Sequence, residues 1–127
     1  MDRLLWVCLG SALGGGARYL VAQGMARVLG SSFAYGTLTV NAVGSFLIGA
    51  LMYTSAAGSA LSPTLRLALT TGVLGGFTTY STFSYETLRY LQEGAVVTAL
   101  VNVFVTLFGC LLATFLGWML ARGLFGA

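Results

Sequence analysis

Two long stretches of this chain carry no charged residue, 28–65 and 94–121. Each exceeds the roughly 20 consecutive apolar residues with which a helix crosses a bilayer. Short polar and glycine-rich breaks divide the apolar pattern into four membrane segments, at about 4–29, 35–57, 65–91 and 95–122. The connections are brief: Gly30-Ser31-Ser32, then Gly58-Ser59 through Pro63, then Gln92-Glu93-Gly94. Pro63 suits a helix start, where its missing N–H and fixed φ do no harm. The pattern therefore predicts an all-α integral membrane protein, with residues 1–127 forming a single membrane domain.

The third segment departs from a regular helix. It reads LTTGVLGGFTTYSTFSYE from Leu69 to Glu86, and five Ser and Thr residues crowd into 78–84 behind the pair Gly75-Gly76. Such hydroxyls compete with the backbone for hydrogen bonds, and glycine adds backbone freedom, so an interruption at Gly75–Thr78 is expected in mid-membrane. Non-helical backbone survives at that depth only where it is buried in protein or lines a watery cavity. This segment is the expected functional centre.

Polar residues at helical spacing supply its candidate chemistry. Thr37, Asn41 and Ser45 are four apart in the second segment, as are Asn102, Thr106, Cys110 and Thr114 in the fourth, so each set forms a stripe. Asn41 reads either as an interhelical hydrogen bond or as an amide N–H offered to an anion. The hydroxyls read either as bonds back to their own helix or as a polar track. Arg18, at depth in the first segment, either snorkels to the interface or forms an electropositive vestibule. Tyr80 and Phe83 share a face, as packing or as ring edges, which are electropositive; Thr79, Thr82 and Glu86 share the neighbouring one. Glu86 also stands where it could pair with Arg89, three residues on. Arginine, amide, hydroxyls and ring edges are donors or positive ends, so the side chains favour an anion. Carbonyls freed at the interruption form the exception and suit one small cation.

Composition narrows the function. The 127 residues are 57% hydrophobic and 7% charged, with mean hydropathy +0.91, against about 25% charge in a soluble domain. There is no histidine, and the acids are Asp2, Glu86 and Glu93 only. Acid–base and metal-ligand sites of the usual kinds lack their components, which argues against an enzyme. A net charge of +3 is too sparse for a nucleic-acid partner. Cys8 and Cys110 lie in apolar spans as buried thiols. Asp2-Arg3 is a weak charged start, and no small-residue cleavage pattern succeeds a short apolar run, so the N-terminus does not read as a cleaved signal peptide. Gly10, Gly14, Gly15 and Gly16 read as helix-packing contacts. With four segments, Arg3, Arg66 and Arg122 fall on one side of the membrane and Arg27, Arg89 and, by snorkelling, Arg18 on the other. Orientation normally follows an arginine and lysine excess. Here there is almost none, so the chain is expected to insert both ways up and to pair with an inverted copy of itself.

The run GGFTTYSTFSYET, with Asn41 in the second segment and Gly14-x-x-x-Arg18 in the first, closely resembles the Fluc (CrcB) fluoride channels, and the likeness spans the whole chain. The resemblance implies an antiparallel, dual-topology homodimer in the inner membrane, with two pores that export fluoride passively from the cytoplasm. It implies that the paired pore rings fall on Tyr80 and Phe83, the pore asparagine on Asn41 and the vestibule arginine on Arg18. The polar track of the fourth helix falls on Thr106, Cys110 and Thr114. Ser81, Thr82 and Glu86 match motif positions beside the pore, with Ser81 and Thr82 counted into its lining and Thr37 with Glu86 flanking it. A structural sodium ion at the dimer interface would take the backbone carbonyls of Gly75 and Thr78. Tyr80 replaces a more usual phenylalanine and Cys110 a common serine. The competing readings are a proton-coupled anion transporter with the proton on Glu86, and an assembly subunit whose polar stripes merely hold helices together.

Overall fold

The computed structural model describes residues 2–58 and 61–126. Its elements are α1 (Asp2–Leu29), α2 (Tyr35–Ala56), α3 (Pro63–Leu67), a π-helical stretch (Ala68–Leu74), α4 (Gly75–Phe77), α5 (Ser81–Gln92) and α6 (Val96–Phe125), with no strand among the described residues. Three of these, α1, α2 and α6, are long and apolar enough to cross a bilayer. α3, the π-helical stretch and α4 adjoin one another without a gap, and α5 begins after a short irregular link.

Local chemistry explains the boundaries. Ser62 caps α3 by accepting the Leu65 N–H at 3.1 Å, with Pro63 in the first turn, where proline loses no helical bond. The α5–α6 corner closes when the Ala95 N–H donates to the Tyr90 carbonyl at 2.8 Å. Helical hydrogen bonding continues through Gly75 and Gly76, so the interruption expected from Gly75 onward begins only at Thr78. The Thr78 N–H still donates to the Leu74 carbonyl at 3.0 Å, and the Thr78 hydroxyl donates to the same oxygen at 2.9 Å.

Two close helix crossings build the frame. α2 lies along α6, and a Cβ on Gly117 would stand 1.9 Å from the Phe46 carbonyl oxygen, while one on Gly49 would stand 2.1 Å from that of Thr114. α1 crosses the π-helical stretch in the same way, with a Cβ on Gly14 only 2.0 Å from the Val73 oxygen. Backbone meets backbone because lipid gives large apolar side chains no drive to hide. Leu13 and Leu20, both 71% exposed, show this on the outer face of α1. Of the four N-terminal glycines, Gly10 and Gly14 make such contacts within the chain, whereas a Cβ on Gly15 or Gly16 meets nothing within 4 Å. A small cluster of Ala34, Tyr90 and Ala99 joins the start of α2 to the α5–α6 corner, with Phe33 stacked on Tyr90 at 6.2 Å between ring centroids.

Replacing Gly117 by valine is expected to destabilise the fold by at least the ~1–3 kcal/mol typical of overpacking. The reading is a lower thermal midpoint and a smaller monodisperse peak in detergent. Gly109→Ala, on the same helix with open space around it, should behave as the unsubstituted protein.

Candidate functional site

Between α4 and α5 the backbone leaves the helix. Thr78 is extended (φ −90, ψ 161), and Tyr80 already has helical dihedrals as it leads into α5. A backbone opened in this way needs partners for its polar groups, and α2 supplies them. The Asn41 amide donates from Nδ2 to the Thr79 carbonyl at 2.9 Å, and its Oδ1 accepts the Thr79 N–H at 2.8 Å. The carboxamide thus pairs with Thr79 as a neighbouring strand would. An asparagine amide has two hydrogens, so one remains after this bond. The interhelical reading of Asn41 therefore holds without closing off the donor reading.

Other groups complete the link. Arg18 donates from Nε to the Gly76 carbonyl at 3.0 Å, so this half-buried side chain turns inward to α4 instead of reaching for the interface. The Thr79 hydroxyl accepts the Thr82 N–H at 3.2 Å and donates to the Thr82 hydroxyl at 3.1 Å, capping the first turn of α5. Ser81 lies 3.4 Å from the same oxygen. Among the described residues, the carbonyls of Gly75, Phe77 and Thr78 are left over. In a continuous helix Gly75 would accept from Thr79 and Thr78 from Thr82, but those N–H groups go to Asn41 and to the Thr79 hydroxyl. Neither oxygen keeps its helical bond.

Two cavities flank the link. The larger, about 620 Å³, is lined by Asn41, Ser45, Thr106, Cys110, Thr114, Tyr80 and Phe83, with Gly75, Thr78 and Thr79 contributing as well. The Tyr80 and Phe83 rings meet edge to face, 5.7 Å between centroids and 63° between planes. No charged side chain lines this cavity. The Thr114 hydroxyl donates back to the Cys110 carbonyl at 3.0 Å, so its hydrogen is committed to its own helix. The smaller cavity, about 200 Å³, brings Arg18 together with Tyr19, Thr37, Thr79 and Thr82. Thr79 borders both.

Several expected positions sit elsewhere. Ser81 borders neither cavity, and Thr82 borders the smaller one only. Glu86 does not pair with Arg89: its Oε1 accepts the Thr37 hydroxyl, while Arg89 lies 3.8 Å from Glu93. Spacing of three and four residues serves Arg89 equally well, and the hydroxyl on α2 decides between them by reaching Glu86 first. Glu86 lines neither cavity. Asn102 leaves the stripe of α6 altogether and donates to Thr87 on α5 at 3.0 Å. Cys8 is exposed on the outer face of α1 and Cys110 is partly exposed, so neither is a buried thiol. Sequence reading missed Thr70, which borders the larger cavity, and Gly44, where a Cβ would stand 2.2 Å from the Thr78 methyl. A glycine facing a threonine from another helix leaves no local signal. Among the described residues, no group of His, Cys, Asp or Glu is placed to hold a metal ion.

Comparison with known proteins places this geometry. Residues 5–118 match the model of the family described as CrcB-like protein, Camphor Resistance (CrcB). A protein of Citrifermentans bemidjiense named Fluoride-specific ion channel FluC is 49% identical over 124 residues, 98% of this chain and 100% of the relative. Proteins of the same name from Anaeromyxobacter sp. (strain K) and Geobacter metallireducens are 49% identical over 126 residues and 51% over 124. They cover 99% and 98% of this chain and the whole of each relative. The match takes in every residue of both cavities, and three helices capable of crossing a bilayer make this a membrane protein. The chain belongs to the CrcB family, a family of ion channels and not of enzymes.

Proposed function

We propose that the chain is a fluoride-selective channel that lets fluoride leave the cytoplasm passively across the inner membrane and so relieves fluoride toxicity. The observation that carries this reading is the larger cavity, in which an edge-to-face ring pair faces hydroxyls, a thiol and an amide with no charged group among them. A small anion surrenders strongly bound water on entry, and fixed donors and positive ring edges replace it. The absence of a buried countercharge keeps the ion from being held too tightly to leave. Arg18, at the smaller cavity, draws anions toward the link.

The working unit in this reading is an antiparallel homodimer with two pores and the interrupted third segment at mid-membrane. Tyr80 borders the larger cavity yet is 79% exposed, so one chain leaves that wall unfinished. At Gly15 and Gly16 there is open space where a side chain would stand on α1, and the even arginine tally gives neither orientation an advantage. An inverted second copy meets all three conditions. The sodium expectation fits as well, since the Gly75 and Thr78 carbonyls lack helical partners and hard oxygen donors suit a hard cation. Such an ion would supply a positive charge there, and the Gly75 and Thr78 carbonyls of each copy would hold it. The proton-coupled alternative is disfavoured because Glu86 lies outside both cavities, hydrogen-bonded to Thr37.

Purified protein in liposomes should release fluoride rapidly when valinomycin sets the voltage, as monitored by a fluoride electrode, while chloride stays inside. Flux that tracked only a proton gradient would transfer the mechanism to Glu86. Phe83→Ile removes the ring edge but keeps apolar bulk. It should cut the fluoride rate tenfold or more, about 1.4 kcal/mol in barrier, with dimer elution unchanged. Asn41→Asp sets a carboxylate against the Thr79 carbonyl and removes its donor. A loss of roughly a hundredfold in flux is expected from an unpaired buried charge. Replacing sodium by N-methylglucamine at equal ionic strength should lower the thermal midpoint of the dimer.

A further inference from the structure

Asn102 breaks with its stripe for a reason the geometry supplies. Its side chain is 1% exposed, among the most deeply buried in the chain, although it sits on a helix whose apolar residues mostly face outward. A buried amide is costly unless it is hydrogen-bonded. Here Nδ2 donates to the Thr87 hydroxyl at 3.0 Å, and that hydroxyl donates in turn to the Phe83 carbonyl at 2.8 Å. The Thr87 hydroxyl thus uses its donor and one acceptor site at once. The relay therefore runs from α6, through one hydroxyl, to the backbone of the residue whose ring borders the larger cavity. Among the described residues it is the only side-chain hydrogen bond joining α5 to α6. Thr106 stands one turn beyond Asn102 on α6 and borders the same cavity. The Asn102–Thr87 contact thus lies between the Phe83 backbone and the polar residues of α6.

We propose that Asn102 and Thr87 are positioning residues for Phe83: neither borders the cavity, and together they hold the ring against the polar track of α6. The functional part of this proposal rests on the fluoride-channel reading. Its test has one readout that depends on that reading and one that does not. For the first, Thr87→Val, Asn102→Leu and the double variant are compared with Thr87→Ser in the liposome assay. Thr87→Val is nearly isosteric and removes both relay bonds, whereas serine keeps the hydroxyl. Thr87→Val leaves the buried Asn102 amide unpaired and Asn102→Leu removes the tether from α6, so each should lose roughly tenfold in fluoride rate, about 1.4 kcal/mol in barrier. The double variant should be no slower than the slower single, because contacting residues do not act additively. Thr87→Ser should conduct within about twofold of the parent, being spared that cost.

For the second, 4-fluorophenylalanine is placed at position 83 by nonsense suppression and its fluorine NMR signal is recorded without fluoride. The signal should shift or broaden in Thr87→Val and Asn102→Leu and stay in place in Thr87→Ser. A signal that shifts in the two disrupting variants, with a parent protein that conducts no fluoride, would leave the positioning role standing and remove the channel reading. An unmoved signal, a Thr87→Val that conducts at the parent rate, a serine variant as impaired as the valine one, or losses that multiply in the double variant would each overturn the proposal. So would the failure of both Thr87→Val and Asn102→Leu to yield folded protein, since the contact would then serve folding alone.

Discussion

The structure depends on one obligation, that backbone opened inside an apolar medium must find new hydrogen-bond partners. Asn41 meets it by lending both ends of its carboxamide to Thr79. Arg18 and the Thr79 hydroxyl answer for Gly76 and for the first turn of α5. The carbonyls of Gly75, Phe77 and Thr78 keep no helical bond. The link stays open because neighbouring helices satisfy part of it.

The same obligation orders the polar residues by role. Side chains that serve backbone, such as Asn41 and Thr78, stand at the link itself. Those that line the larger cavity without serving the link, such as Ser45 and Thr106, stand on α2 and α6. Glu86 and Thr37 satisfy each other away from the larger cavity. An uncharged cavity next to a link held by an arginine and an amide is therefore a direct outcome of which groups were needed elsewhere.

Much of this is legible in the chain itself. Charge-free runs mark the apolar segments, and hydroxyls crowded after Gly75-Gly76 mark the irregular one, although helical bonding persists to Phe77. Four-residue spacing gathers Thr106, Cys110 and Thr114, and the larger cavity brings the three together. Spacing names a face without naming what that face meets, which is why Asn102 can share the stripe in sequence and turn to Thr87 in space. The exchange of Arg89 for Thr37 as partner of Glu86 has the same origin, a competitor on another helix that local pattern does not contain. Gly10 and Gly15 likewise look alike in sequence and differ only in what passes beside them.

The crossings at Gly49 and Gly117, and at Gly14 against Val73, have a thermodynamic corollary. A seam made of backbone has no side-chain rotamers to freeze when it forms and none to rearrange afterwards. Helices joined in this way do not slide by swapping side-chain packing. Side-chain rotamers belong instead to the residues that border the cavities, the rings at positions 80 and 83 among them. Substitution there changes what the cavities present without touching the seams that hold the helices together.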